Sequence, residues 1–160
     1  MSPTRRAEDS GRAWPEPVYL DASALVKLLV PEPESDALNE ALVGSGDVII
    51  SDLALTEMAS ALGRRIREHR LALTDARRIH GDAQKLARAC HRVELTPPIH
   101  RRAERLLLSS RDVPLRALDA LHVATALATD AATLVTYDPR LRAAAAAQGL
   151  FVVPEPTPHG

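Results

Sequence analysis

Cysteine occurs once in the 160 residues, as Cys90, so neither an internal disulfide framework nor a multi-cysteine zinc site can be built. Aromatic residues make up only 2 % of the chain: Trp14, Tyr19, Tyr137 and Phe151. That is too few for a domain that stacks single-stranded bases on aromatic platforms. Neither sign of charge prevails, since 20 basic residues stand against 21 acidic ones for a formal net charge of −1. A strongly basic coat of the kind that grips duplex DNA is excluded, although a local basic patch is not. No apolar run is long enough to cross a bilayer. The arginines near the N-terminus are not followed by the apolar run of a secretory signal. The expectation is a soluble cytoplasmic protein with no membrane partner.

What is present suits one α/β domain. Apolar residues make up 46 %, enough for a core in a chain of this size. Six of the 12 prolines fall at positions 3, 15, 17, 154, 156 and 158, in polar surroundings. Residues 1–17 and 154–160 are therefore read as flexible ends around a domain spanning 18–153. Within it, Val18–Leu20, Val48–Ile50, Val93–Leu95, Thr133–Thr136 and Phe151–Val153 read as short strands. Helical patterns fill the gaps at Ala22–Val30, Glu34–Val43, Leu53–His69, a segment capped by Thr74, Pro98–Ser110, Ala117–Asp130 and Pro139–Gln148. Such alternation with short connections predicts helices packed around a mostly parallel central sheet of about five strands.

Four carboxylates stand out. Asp21 directly follows the first strand and Asp138 lies two residues past the fourth, where ligands bind in parallel α/β sheets. Aspartate is equally at home there as a turn or helix-capping residue. Glu57 sits inside a helix with no basic residue three or four positions away, so it needs a distant arginine or a metal. Asp119 lies on a helix that is apolar on nearly every face, with Arg116 at i−3 as a possible ion-pair partner and His122 at i+3. Were all four to converge, each contacting pair would repel by about 4 kcal/mol at an effective dielectric of 20. A fold gathers such groups to hold Mg²⁺ or Mn²⁺, hard cations that prefer oxygen ligands.

The blocks VYLDASALVKLL, SDLALTEMASALGRR, LRALDALHVATAL and LVTYDPRLRAAAAAQGL, in this order and spacing, resemble the PIN-domain ribonucleases, specifically the VapC-type toxins of bacterial toxin–antitoxin pairs. The resemblance runs from about Val18 to Val153 and implies a PIN-like three-layer sandwich. It places the family's metal-ligand aspartates on Asp21 and Asp119, its helical acid on Glu57 and its last acid on Asp138. Ser23 and Thr136 take the places of the neighbouring hydroxyls. It further implies Mg²⁺-dependent hydrolysis of RNA phosphodiester bonds by a metal-activated water, with Mn²⁺ able to substitute. A cognate antitoxin and a homodimer are the implied protein partners.

RNA also needs cations along its path. From Ala61 to Arg92 there are eight arginines against three acids, and Arg64, Arg65 and Arg67 begin about two turns after Glu57. They are candidate phosphate contacts, with a solvated helix face as the alternative. Two other functions compete. A phosphotransferase using Asp21 as nucleophile would place a second acid beside it or a lysine at a later strand end, but Ala22 and Ser23 follow Asp21 and the only lysines are Lys27 and Lys85. A degenerate PIN-like module that binds RNA or a partner without cleavage would not need the complete acidic set.

Overall fold

The computed structural model describes residues 14–156. The short β-branched runs form five strands, β1 (Val18–Leu20), β2 (Val48–Ser51), β3 (His91–Val93), β4 (Thr133–Val135) and β5 (Phe151–Val153). All pair in parallel, in the order β3-β2-β1-β4-β5. Seven helices connect them among the described residues: α1 (Ala22–Leu29), α2 (Ser35–Leu42), α3 (Asp52–Arg67), α4 (Leu73–Ala89), α5 (Pro97–Ser109), α6 (Ala117–Ala128) and α7 (Pro139–Ala147).

Successive side chains of a strand point to opposite faces of the sheet, and the two faces bury different helices. Val18, Leu20, Ile50 and Val135 pack with Leu25 of α1, Met58 of α3 and Ile79 of α4. Tyr19, Ile49 and Leu134 pack on the other face with Val123 of α6 and Leu141 of α7. Ile99 and Ala103 of α5 then cover the outer side of α6 against Ala120 and Ala124. This explains why α6 is apolar all round: it lies between the sheet and another helix. The result is the expected three-layer sandwich with a parallel sheet.

Topology places the site. The chain builds outward from β1 through β2 to β3, then returns through α5 and α6 to lay β4 on the opposite side of β1. The strand order therefore reverses between β1 and β4, and the crevice beyond their carboxyl ends is where such sheets bind ligands.

Several local expectations are corrected. The third strand lies two residues earlier than its sequence pattern suggests, because the Leu95 N–H leaves the ladder for the Asp52 carboxylate (3.2 and 3.3 Å). Thr74 does not cap α4, which starts one residue before it behind Ala72. Of the two expected flexible ends, residues 1–13 and 157–160 lie outside the described residues. Residues next to the domain are held instead. Trp14 packs on the core, the Pro15 carbonyl accepts from the Thr133 hydroxyl at 2.6 Å, and the Pro154 carbonyl accepts from Arg142. No described helix is long and apolar enough to cross a membrane.

Candidate active site

Asp21 leaves β1 and caps α1, so the capping alternative is realised. Its Oδ1 accepts from the Ala24 N–H at 2.8 Å, and the Thr136 hydroxyl donates to Oδ2 at 2.6 Å. The Ser23 hydroxyl shares one proton between the two oxygens (2.7 and 2.9 Å). Ser23 in turn accepts from the Tyr137 N–H at 2.8 Å, and Thr136 accepts from the Asp138 N–H at 3.0 Å. The two predicted hydroxyls thus stitch the ends of β1 and β4 around Asp21. The aspartate is 3 % exposed, and burial pushes its carboxyl above the usual range despite these donors.

That shift has a testable sign. A carboxyl raised in the folded state binds its proton more tightly there than in the unfolded chain. Its contribution to stability is full below the unfolded value of about 3.9 and is lost as pH rises through the folded value. In EDTA, the melting temperature of the wild type relative to Asp21→Asn is therefore expected to fall as pH rises across and above the carboxylate range. A gap between the two proteins that stays constant with pH refutes this.

The other three acids arrive from three further elements. Asp119, on the first turn of α6, is 7 % exposed, and its Oδ2 accepts from the Arg116 N–H at 3.2 Å. The expected ion-pair alternative is not seen: among the described residues the Arg116 guanidinium makes no salt bridge with it. Asp138 caps α7 by accepting from the Arg140 N–H at 2.8 Å. Glu57 projects from α3 and finds its partner across the sandwich, where its Oε2 is hydrogen-bonded to His122 Nε2. The distant partner demanded by the sequence is a histidine rather than an arginine.

All four acids line one cavity of about 810 Å³ beyond β1 and β4. Asp21 and Asp119 are buried, offer only hard oxygen, and have no basic salt-bridge partner among the described residues. That donor set fits Mg²⁺ or Mn²⁺. As they stand, no three His, Cys, Asp or Glu side chains among the described residues close into a cage. Each carboxylate is held by its own hydrogen bonds, and drawing them together takes a counter-charge.

The cations are divided. Arg64 and Arg65 line the cavity, whereas Arg67 does not. Arg64 is exposed, but Arg65 is engaged by Glu32, which also binds Lys27. Partial burial works against charging Glu32, yet Arg65 and Lys27 outweigh it and hold its carboxyl below the usual range. Sequence reasoning missed one contributor and ranked another wrongly. Arg116 also lines the cavity, exposed. His122 has two readings in the sequence, a site residue or, preferred, a polar contact within its own helix, and its ring bonds outside that helix on both nitrogens. The signal was available: an unpaired glutamate on one apolar helix and a lone histidine on another.

A PIN domain family model matches residues 18–147. Ribonuclease VapC45 of Mycobacterium tuberculosis is 36 % identical over 139 residues, covering 86 % of this chain and 94 % of the relative. Ribonuclease VapC35 of the same organism is 37 % identical over 140 residues, covering 85 % and 95 %. Among solved structures, M. tuberculosis VapC20, described as a sarcin–ricin loop cleaving toxin, superimposes with a TM-score of 0.65 at 17 % identity. The match covers 80 % of this chain and 95 % of that one. VapBC2 from Rickettsia felis, bound to a promoter DNA fragment, gives 0.61 at 16 % identity, covering 85 % and 96 %. At these identities the structural matches speak to the fold.

Proposed function

The chain belongs to the PIN-domain family, among the VapC ribonucleases, and on that footing we propose that it is a toxin that hydrolyses RNA with the help of a divalent metal ion. One observation carries this reading: four carboxylates from four separate elements line a single cavity at the sheet's switch point, two of them buried without a basic partner. It would act in the cytoplasm as an endoribonuclease, with Mg²⁺ as its cofactor and Mn²⁺ as a substitute.

Asp21 and Asp119 would hold the ion directly, with Glu57 and Asp138 completing its surroundings. Bound there, the ion supplies positive charge to a phosphate oxygen and lowers the pKa of a water that attacks phosphorus. The chain's own residues set up that chemistry. Ser23 and Thr136 fix both oxygens of Asp21, so its rotamer is set before any ligand arrives. The helix-cap bonds of Asp119 and Asp138 orient their carboxylates from α6 and α7. No serine, cysteine or histidine nucleophile is required.

Purified protein is expected to cleave RNA in Mg²⁺ or Mn²⁺ and to stop when EDTA is added. Cleavage that persists in EDTA and metal-free buffer overturns the mechanism, and binding without cleavage under any metal favours a degenerate RNA-binding module. A structural neighbour described as a toxin–antitoxin complex from Klebsiella pneumoniae is in keeping with a cognate antitoxin as partner. An antitoxin segment that covers the cavity and a toxin homodimer complete the proposal.

Arg64 is the foremost phosphate contact because it lines the cavity and is exposed, while Arg65 is already paired with Glu32. For single strands, each phosphate that the protein neutralises adds about 0.7 to the slope of log affinity against log salt. In an Asp119→Asn background that blocks cleavage, Arg64→Ala is expected to flatten the slope by about that amount, and Arg65→Ala by less. Equal slopes for wild type and Arg64→Ala place the RNA path elsewhere.

A further inference from the structure

A continuous line of hydrogen bonds runs from the sheet into the acidic cavity. Ser51 ends β2 and caps α3, its Oγ accepting from the Ala54 N–H at 3.1 Å. The Tyr19 hydroxyl lies 2.8 Å from Ser51 Oγ and 2.7 Å from His122 Nδ1. His122 Nε2 meets Glu57 Oε2. Ser51 and Tyr19 are fully buried and His122 is 3 % exposed, so water does not complete their bonding.

Proton counting gives this line a direction. Each hydroxyl has one proton, and an orphaned polar group in such a place is costly. If Tyr19 donated to Ser51, the serine proton would have no acceptor among the described residues. The same orphan arises if His122 is an imidazolium, or if its proton sits on Nδ1. One arrangement satisfies every group: Ser51 donates to Tyr19, Tyr19 donates to Nδ1, and Nε2–H donates to the Glu57 carboxylate. Burial keeps the Tyr19 hydroxyl protonated well beyond the usual phenol range, so it stays a donor.

The geometry points to His122 as a positioning residue, held by Tyr19 and Ser51 as the neutral Nε2–H tautomer so that it anchors one oxygen of Glu57. Glu57 makes no other hydrogen bond among the described residues, and α3 offers it no basic neighbour. Without this anchor, repulsion from Asp21 and Asp119 would turn the glutamate toward solvent. Because Ser51 also caps the helix that carries Glu57, both ends of the line fasten α3. The positioning role rests on the nuclease reading, whereas the tautomer does not.

The test uses the metal-free full chain labelled with ¹⁵N-histidine, with the His122 signal assigned by its loss in His122→Gln. Ring-nitrogen shifts are expected to show a bare Nδ1 and a protonated Nε2 at neutral pH. A protonated Nδ1 overturns the assignment. Tyr19→Phe removes the donor to Nδ1 at nearly constant volume while Glu57 still faces Nε2, so the Nδ1 resonance is expected to shift with the loss of its hydrogen bond. An unmoved Nδ1 resonance also overturns it.

The second arm separates positioning from packing. The amide of Gln at 122 can stand in for Nε2–H toward Glu57, whereas Asn there is too short to reach it. His122→Asn is expected to lower kcat for RNA and Mn²⁺ affinity by calorimetry about 10- to 100-fold, with KM for RNA nearly unchanged. His122→Gln is expected to restore most of both. Gln falling as far as Asn, or Asn matching the wild type in Mn²⁺ affinity, defeats the role. A wild type that shows the expected tautomer but no metal-dependent cleavage would instead defeat the nuclease reading, which the calorimetry does not depend on.

Discussion

Asp119→Asn is expected to lower RNA cleavage by at least about 100-fold, since even residues that merely orient metal ligands cost 10- to 100-fold when changed. The substitution keeps volume nearly constant, and the amide oxygen can still accept from the Arg116 N–H. What it removes is a negative charge that is 7 % exposed and has no salt-bridge partner among the described residues. In EDTA the melting temperature is therefore expected to hold or rise, because active-site charge costs stability. Mn²⁺ titration should show weakened binding alongside reduced turnover. Undiminished turnover in a folded variant would leave Asp119 as a helix-start residue with no part in the chemistry.

The largest effect on stability is expected at the sheet. Leu134 lies in the middle of β4, between β1 and β5, and is fully buried against the α6 and α7 side of the core. Leu134→Ala removes its packing and leaves a cavity that rigid strand backbones on both sides cannot collapse. A loss of about 2–5 kcal/mol follows, a fall in melting temperature on the order of 10 °C for a chain of this length. Urea unfolding should show the midpoint falling with an unchanged slope. A loss under about 1 kcal/mol would mean that this core repacks freely.

Much of the architecture was legible because the sheet is parallel and buried on both faces. Val18–Leu20 and Phe151–Val153 are runs with no competing helical period, and they form β1 and β5 with unchanged bounds. The third strand escapes such a reading because two of its three residues, the exposed His91 and Arg92, carry no apolar signal, whereas the other edge strand, β5, keeps an unbroken apolar run. The acids were legible one by one, from their positions after strands or on apolar helices. Their surroundings were not. That Glu57 meets His122 depends on α3 and α6, from opposite faces of the sheet, meeting beyond its strand ends, a relation between residues 65 positions apart. That Arg65 is occupied depends on the turn between α1 and α2 bringing Glu32 beside it. Pairings of this kind arise from packing, and no local period encodes them.

The order in which the strands are laid down has a consequence for synthesis. β4 lies beside β1 at the heart of the sheet, yet it is the fourth strand to be made, and Asp138 follows it. Thr136, which holds Asp21 from the far side, is also late. A nascent chain on the ribosome therefore carries Asp21 and Glu57 without the wall that would orient them, and every fragment ending before residue 138 lacks one of the four acids. Because domains of this size fold as units, the cavity that gathers the four acids is complete only after Asp138 has been made.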